Sequence, residues 1–279
     1  MATPIAFDIL GRDRGASGAL DKVAKKADET GRKFGFLSAR SNGLTAGMTA
    51  GFGKVAGALA VVGAGGFLKS AISEASDLGE TMSKSASVFG PADKIIQKFA
   101  ATSAKSFGQS KKEAVAAAAQ FGNMFNQLGI GQKPAAQMSI QMVKLASDFA
   151  SFHNADISEV LEAQTAAFRG EFDSVQKFVP TINAAAVEQE GLRLGLAKST
   201  KELDAQDKAI AVQSLLMKGA GKATGDFART SGGLANQQRI LKARLDDTKA
   251  TIGQALLPAA TSFVTFLNDK MIPVAGVVV

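Results

Sequence analysis

Residues 110–152, SKKEAVAAAAQFGNMFNQLGIGQKPAAQMSIQMVKLASDFASF, decide what kind of fold this chain builds. Ser110 and Glu113 have capping-box spacing: the serine hydroxyl accepts a first-turn N–H and the glutamate accepts the serine's own N–H. A helix over 111–128 follows, stopped by Gly129 and Gly131 ahead of Pro134. Beyond the stop, Met138, Met142, Leu145, Phe149 and Phe152 recur at 4-3-4-3 spacing, which is one face of a second helix over 135–153. That stripe reads as packing on the chain's own core, with a partner helix as the alternative. Nothing in the stretch alternates with the period of a strand.

The same signals extend outward. Helices are predicted near 71–108, 157–169, 181–197, 201–218 and 232–256. Ser199 and Glu202 repeat the capping-box spacing, Asp156 and Glu159 give a weaker version, and Pro180 and Pro258 mark further stops. Upstream, Ile5, Phe7 and Ile9 alternate over residues 4–10, one short strand ended by GRDRG. A basic helix over 16–36 follows, interrupted by Gly31 and Gly35. The expected fold is therefore mainly α: one short N-terminal strand, then multiple helices. The expected divisions are 1–40, strand and basic helix; 41–70, a Gly/Ala-rich apolar segment; 71–258, a helical region; and 259–279, an apolar C-terminal segment.

Composition excludes much chemistry. The 279 residues include 29 Gly and 18 Phe but a single His and no Cys, Trp or Tyr. Without cysteine there are no disulfides, thiolate metal sites or thiol nucleophile. One histidine cannot supply a two-histidine zinc motif. His153 falls at a helix end, where it can meet the last carbonyls, a structural role. The carboxylate pairs Glu159/Glu162 and Glu171/Asp173 have no aromatic or histidine neighbours of the kind a glycosidase uses, and the first pair reads as a solvated helix face. GAGG and TSGG lack the Lys-Ser/Thr of a phosphate loop. No catalytic, cofactor-binding or metal site is expected, and no enzyme. Residues 1–70 hold 10 Lys/Arg against 5 Asp/Glu, a basic surplus suited to DNA, anionic lipid or an acidic protein wall, or to solubility alone. Any contact with DNA would be non-specific.

Two segments are candidates for association. The stretch GLTAGMTAGFGKVAGALAVVGAGGFLKS, residues 43–70, carries Gly43, Gly47, Gly51, Gly53 and Gly57 as a small-residue ladder, which lets helices approach to backbone contact. In water those glycines weaken a free helix by up to about 1 kcal/mol each. Only 14 uncharged residues lie between Lys54 and Lys69, fewer than the roughly 20 a span needs. The segment reads as a conditional membrane span with the glycines as its packing face. Near the C-terminus, Leu234, Gln238, Leu241, Leu245, Thr248, Ile252 and Ala255 keep a 4-3 repeat compatible with a coiled-coil seam, weakened by Gln238 and Thr248. Leu234, Leu241, Leu245 and Ile252 are its self-association stripe, with packing on the chain's own core as an equal alternative.

Three segments then carry a resemblance. EASDLGETMSKSASVFG (74–90), AAFRGEFDSVQKFV (166–179) and above all GDFARTSGGLANQQRILKARLDDTKATIGQALLPAATSFVTFLND (225–269) resemble the N-terminal region of phage tail tape measure proteins, in the variant of phages of actinobacteria. FDILGRDRGASGALDKVAKKAD resembles the family's usual start. The resemblance implies a largely helical structural protein of the virion, lying in the tail tube lumen and setting tail length. It implies the tail tube protein, tail assembly chaperones and tail tip proteins as partners, homo-oligomerisation, and passage through the host cytoplasm during assembly and the host membrane on infection. Gly/Ala-rich segments of that family enter the host envelope, and residues 43–68 would be one. Fully helical, the chain would reach at most about 420 Å, short for this family, so it is expected to be an N-terminal fragment of a ruler or a truncated prophage copy. The competing reading is a membrane-active, pore-forming helical protein.

Overall fold

A computed structural model describes residues 64–266. The predicted strand at 4–10, the basic helix at 16–36, the glycine ladder and the apolar run after 266 lie outside the described residues. The chain divides into two compact units, Met1–Ser76 with Lys249–Val279, and Asp77–Thr248. The structure is mainly helical, with no strand among the described residues.

Helix α1, Ala64–Phe89, contains the last residues of the Gly/Ala-rich stretch and the first part of the predicted 71–108 helix. That prediction is corrected at Gly90, whose φ of +49° breaks the helix, and at Pro91, which opens a one-turn 3-10 helix over Gly90–Ala92. Asn126 then donates to the Val88 carbonyl (2.7 Å), closing the end of α1. Two short helices continue, α2 (Asp93–Ala100) and α3 (Ser103–Phe107).

Helix α4, Lys111–Gln127, begins under the predicted capping box: Ser110 Oγ accepts from Glu113 N (3.2 Å) and Glu113 Oε2 accepts from Ser110 N (2.8 Å). The predicted stop at Gly129 and Gly131 ends it, and α5 (Gln132–Phe152) returns after four residues, so the pair forms an antiparallel hairpin. Pro134 sits in the first turn of α5, where its missing N–H has no helical partner to lose. Ala114, Ala117, Ala118 and Ala119 of α4 are buried, small enough to bring the helices close. Helix α5 is the centre of the larger unit. Of the predicted stripe, Met142, Leu145 and Phe149 are buried and Met138 is partly buried against the core, whereas Phe152 is exposed.

Asp156 caps α6 (Ile157–Phe168) by accepting from Ser158 N (2.8 Å), while Glu159 pairs with Lys177 instead of closing a box. The chain next runs irregularly to Asn183, yet buries Val175, Phe178, Val179 and Ile182. Helix α7 therefore starts at Ala184, later than predicted after Pro180, and ends at Arg193. The predicted box at Ser199 is also corrected, because the serine side chain caps nothing and Thr200–Glu202 is a single 3-10 turn. The box that starts α8 (Ala205–Gly219) is Asp204 with Asp207. A one-turn 3-10 helix (Gly221–Ala223) and the short α9 (Asp226–Arg229) lead to α10, Leu234–Phe266, which runs through the predicted stop at Pro258.

The larger unit's core is built from α2, α4, α5, α6, α8 and the irregular segment, around Phe89, Phe121, Phe125 and Phe149. Phe168 meets Phe125 edge-on at 5.0 Å between centroids, and Phe149 stacks on Phe178 at 5.7 Å. In the smaller unit, Ala71 and Ala75 of α1 face Gly253 of α10. A Cβ on Gly253 would lie 1.8 Å from the Ala71 carbonyl oxygen, so the two backbones touch only because that residue is glycine.

Candidate interaction surface

Helix α10 carries two apolar stripes on opposite sides. Asn236, Ile240, Ala243 and Ala250 are buried. The predicted stripe lies on the other side: Leu234, Leu241 and Leu245 are 76, 56 and 50% exposed, and Ile252 is half-buried. Leu234, Leu241 and Leu245 belong to the larger unit and Ile252 to the smaller. The structure thus leaves three of the four predicted stripe leucine and isoleucine side chains open to a partner. Gly43, Gly47, Gly51, Gly53 and Gly57 lie outside the described residues. No helix among the described residues is long and apolar enough to cross a membrane.

A hydrogen-bonded clamp that the sequence did not announce fixes the buried side of α10. Asp148, near the end of α5, accepts the N–H groups of Gly225 (2.8 Å) and Phe227 (3.2 Å). Gly225 has a φ of +75°, which aims these N–H groups at one carboxylate. Burial pushes the Asp148 carboxyl up, against the pull of those two N–H groups. Ser151 donates to Asp226 (2.7 Å), and Asn236 donates to Ser151 and Thr230, both at 2.9 Å. Arg239 bonds Asn236 (2.7 Å) and reaches the carbonyls of Ala155 (3.0 Å) and Ala150 (3.3 Å), so an α10 cation meets one carbonyl in the last turn of α5 and one in the connection after it. Asp247 completes the attachment by accepting the Lys111 N–H at the start of α4 (2.7 Å), and burial raises its carboxyl too. The recoverable sequence signal was the polar Asn236 and Arg239 at helical spacing beside Ile240 and Ala243.

The remaining polar features among the described residues lie apart from one another. Glu190, almost fully buried, takes Arg193 (2.7 Å), Lys218 (2.7 Å) and the Ser214 hydroxyl, tying α7 to α8. Arg193 first, with Lys218 and Ser214, holds its carboxyl well below the usual glutamate range, against burial. His153 terminates α5 and packs its ring on Phe152 (5.1 Å) and Phe178 (5.4 Å). Glu159 and Glu171 are ion-paired and exposed, with Lys177 and Arg169 respectively. A cleft of about 790 Å³ has an apolar floor that includes Met124, Leu128, Phe168, Phe172, Val187 and Val212. None of the sequence-predicted site residues lines it. No group of acidic or histidine side chains able to hold a metal occurs among the described residues. Comparison with protein-family models, curated proteins and solved structures gives no match.

Proposed function

We propose that this chain is the helical head region of a phage tail tape measure protein, a structural component of the tail lumen that works through the tube protein, assembly chaperones and tip proteins. The observation that carries the reading is three resembling segments in order, at 74–90, 166–179 and 225–269. Support comes from where they fall. The first ends at the Gly90 break, the second covers the turn from α6 into the buried irregular segment, and the third begins with the clamp and continues along α10. Each takes in a joint of the fold, where particular residues are needed, and the first and third continue along α1 and α10.

A head of this kind organises assembly and does not measure length. Within the larger unit α4 and α5 double back as a hairpin at the core, so removing α5 destroys that core without trimming an extended rod. In a phage carrying this gene, in-frame deletion of 135–153 takes out most of α5 and is expected to reduce tail yield drastically, with the remaining tails unchanged in length by electron microscopy. Normal yields of tails shorter by about 28 Å, the helical rise of the deleted residues, would refute the division between head and ruler.

The glycine ladder favours a second reading, a membrane-active protein. On that reading the full chain releases dye from anionic liposomes, and a variant lacking 43–70 loses most of this activity. Equal leakage from the two proteins would remove the ladder from any membrane role.

A further inference from the structure

We propose that the exposed face of α10 over residues 234–248 is the docking surface for an acidic amphipathic helix of another protein. This rests on α10 alone and not on the tail reading. The face runs about 21 Å along the axis. Leu234, Leu241 and Leu245 form its apolar centre, each half or more exposed, with Gln238 between them and Thr248 after them in the same 4-3 spacing. Such a stripe on a helix whose opposite side is already buried has the form of one half of a two-helix seam.

Charge selects the occupant. The exposed charged residues of α10 within this span are Lys242 and Arg244, one on each flank of the leucines, and both are cations. Lys242 reaches Glu113 only at 3.4 Å and stays 72% exposed, and Arg244 has no ion pair among the described residues. Of the neighbouring carboxylates, Asp247 takes the Lys111 N–H and Asp246 is half-buried. A second copy would bring cations against cations. Parallel pairing sets Arg244 beside the other chain's Lys249, and antiparallel pairing sets Lys242 and Arg244 against their own counterparts. A helix with leucine-like residues in its seam and glutamate or aspartate on its flanks meets both requirements of this face.

The test uses the full chain and two labelled synthetic peptides of about four heptads, each with leucine at the seam positions. One is flanked by glutamates and the other by lysines, and binding is followed by fluorescence anisotropy. The glutamate peptide is expected to bind about tenfold tighter or better, with the preference closing as salt rises from about 50 mM to about 500 mM. The K242E/R244E double variant should reverse the preference. Leu241→Asn with Leu245→Asn should remove binding of the glutamate peptide while leaving the helical circular dichroism unchanged, since both side chains are at least half exposed. Failure of the glutamate peptide to bind, or equal binding of the two peptides, would overturn the proposal. So would a dimer in sedimentation velocity that Leu245→Asn dissociates, since the face would then belong to a second copy.

Discussion

Gly122→Ala is expected to destabilise the larger unit by about 2 kcal/mol, although helix propensity alone favours alanine by about 1 kcal/mol. The glycine lies mid-helix in α4, where a Cβ would stand 2.2 Å from both Cε1 and Cζ of Phe89 and 3.0 Å from a Val88 methyl. Those ring atoms are the far end of a side chain, which can often swing away. Here Phe89 is fully buried and is the last residue of α1, so the ring can move only by displacing other core atoms. Urea denaturation of the two proteins decides the sign. A stabilised Gly122→Ala would show that the Phe89 pocket is soft enough to absorb a methyl group.

The second large effect is at Glu190. Removing the carboxylate in Glu190→Ala takes away the hub that joins Arg193, Lys218 and Ser214 and is expected to cost about 2 kcal/mol at neutral pH, a figure kept low because both cations are half exposed. The pH dependence follows from the depressed carboxyl. A group held below its unfolded value stabilises the fold above a glutamate's ordinary 4.5 and loses that contribution as pH falls below it. Asp156, lowered chiefly by its Ser158 hydrogen bonds, acts in the same direction. Asp148 and Asp247 are raised by burial and have the opposite sign, favouring the fold as pH falls. Urea midpoints between about pH 5 and about pH 3 should therefore fall more steeply for the parent than for Glu190→Gln. Parallel curves would mean that the hub is screened by water and contributes no acid sensitivity.

The fold was most legible where the deciding interaction is local. Ser110 with Glu113 needs only three residues of spacing, and the structure forms that box as read. Ser199 with Glu202 has the same spacing but loses to Asp204 with Asp207, because buried Leu203 must leave extended backbone to pack against Gly191. Pro258 failed as a stop for a related reason. It lies on the exposed side of α10 near exposed Gln254, so the carbonyl it leaves without a donor faces water. The two stripes of α10 were the hardest to rank from sequence. Hydrophobicity would bury Leu234, Leu241 and Leu245, yet over residues 234–250 the buried side carries Asn236 and alanines beside the single large apolar residue Ile240. Asn236 is inside because Ser151, Thr230 and Arg239 supply its partners, and Ser151 comes from 85 positions away in the chain.

The attachment of α10 also sets an order of events in folding. The α4–α5 hairpin closes across a four-residue connection and needs nothing downstream, so its entropic cost is met early. The clamp must join residues such as Ala150 and Arg239, 89 positions apart, and Lys111 and Asp247, 136 apart. Contacts at that separation close late. On the ribosome, the N–H of Lys111 waits uncapped by Asp247 until α10 has emerged. The nascent unit thus exposes the end of α5 and the start of α4 together, and both are covered in the single step that docks α10.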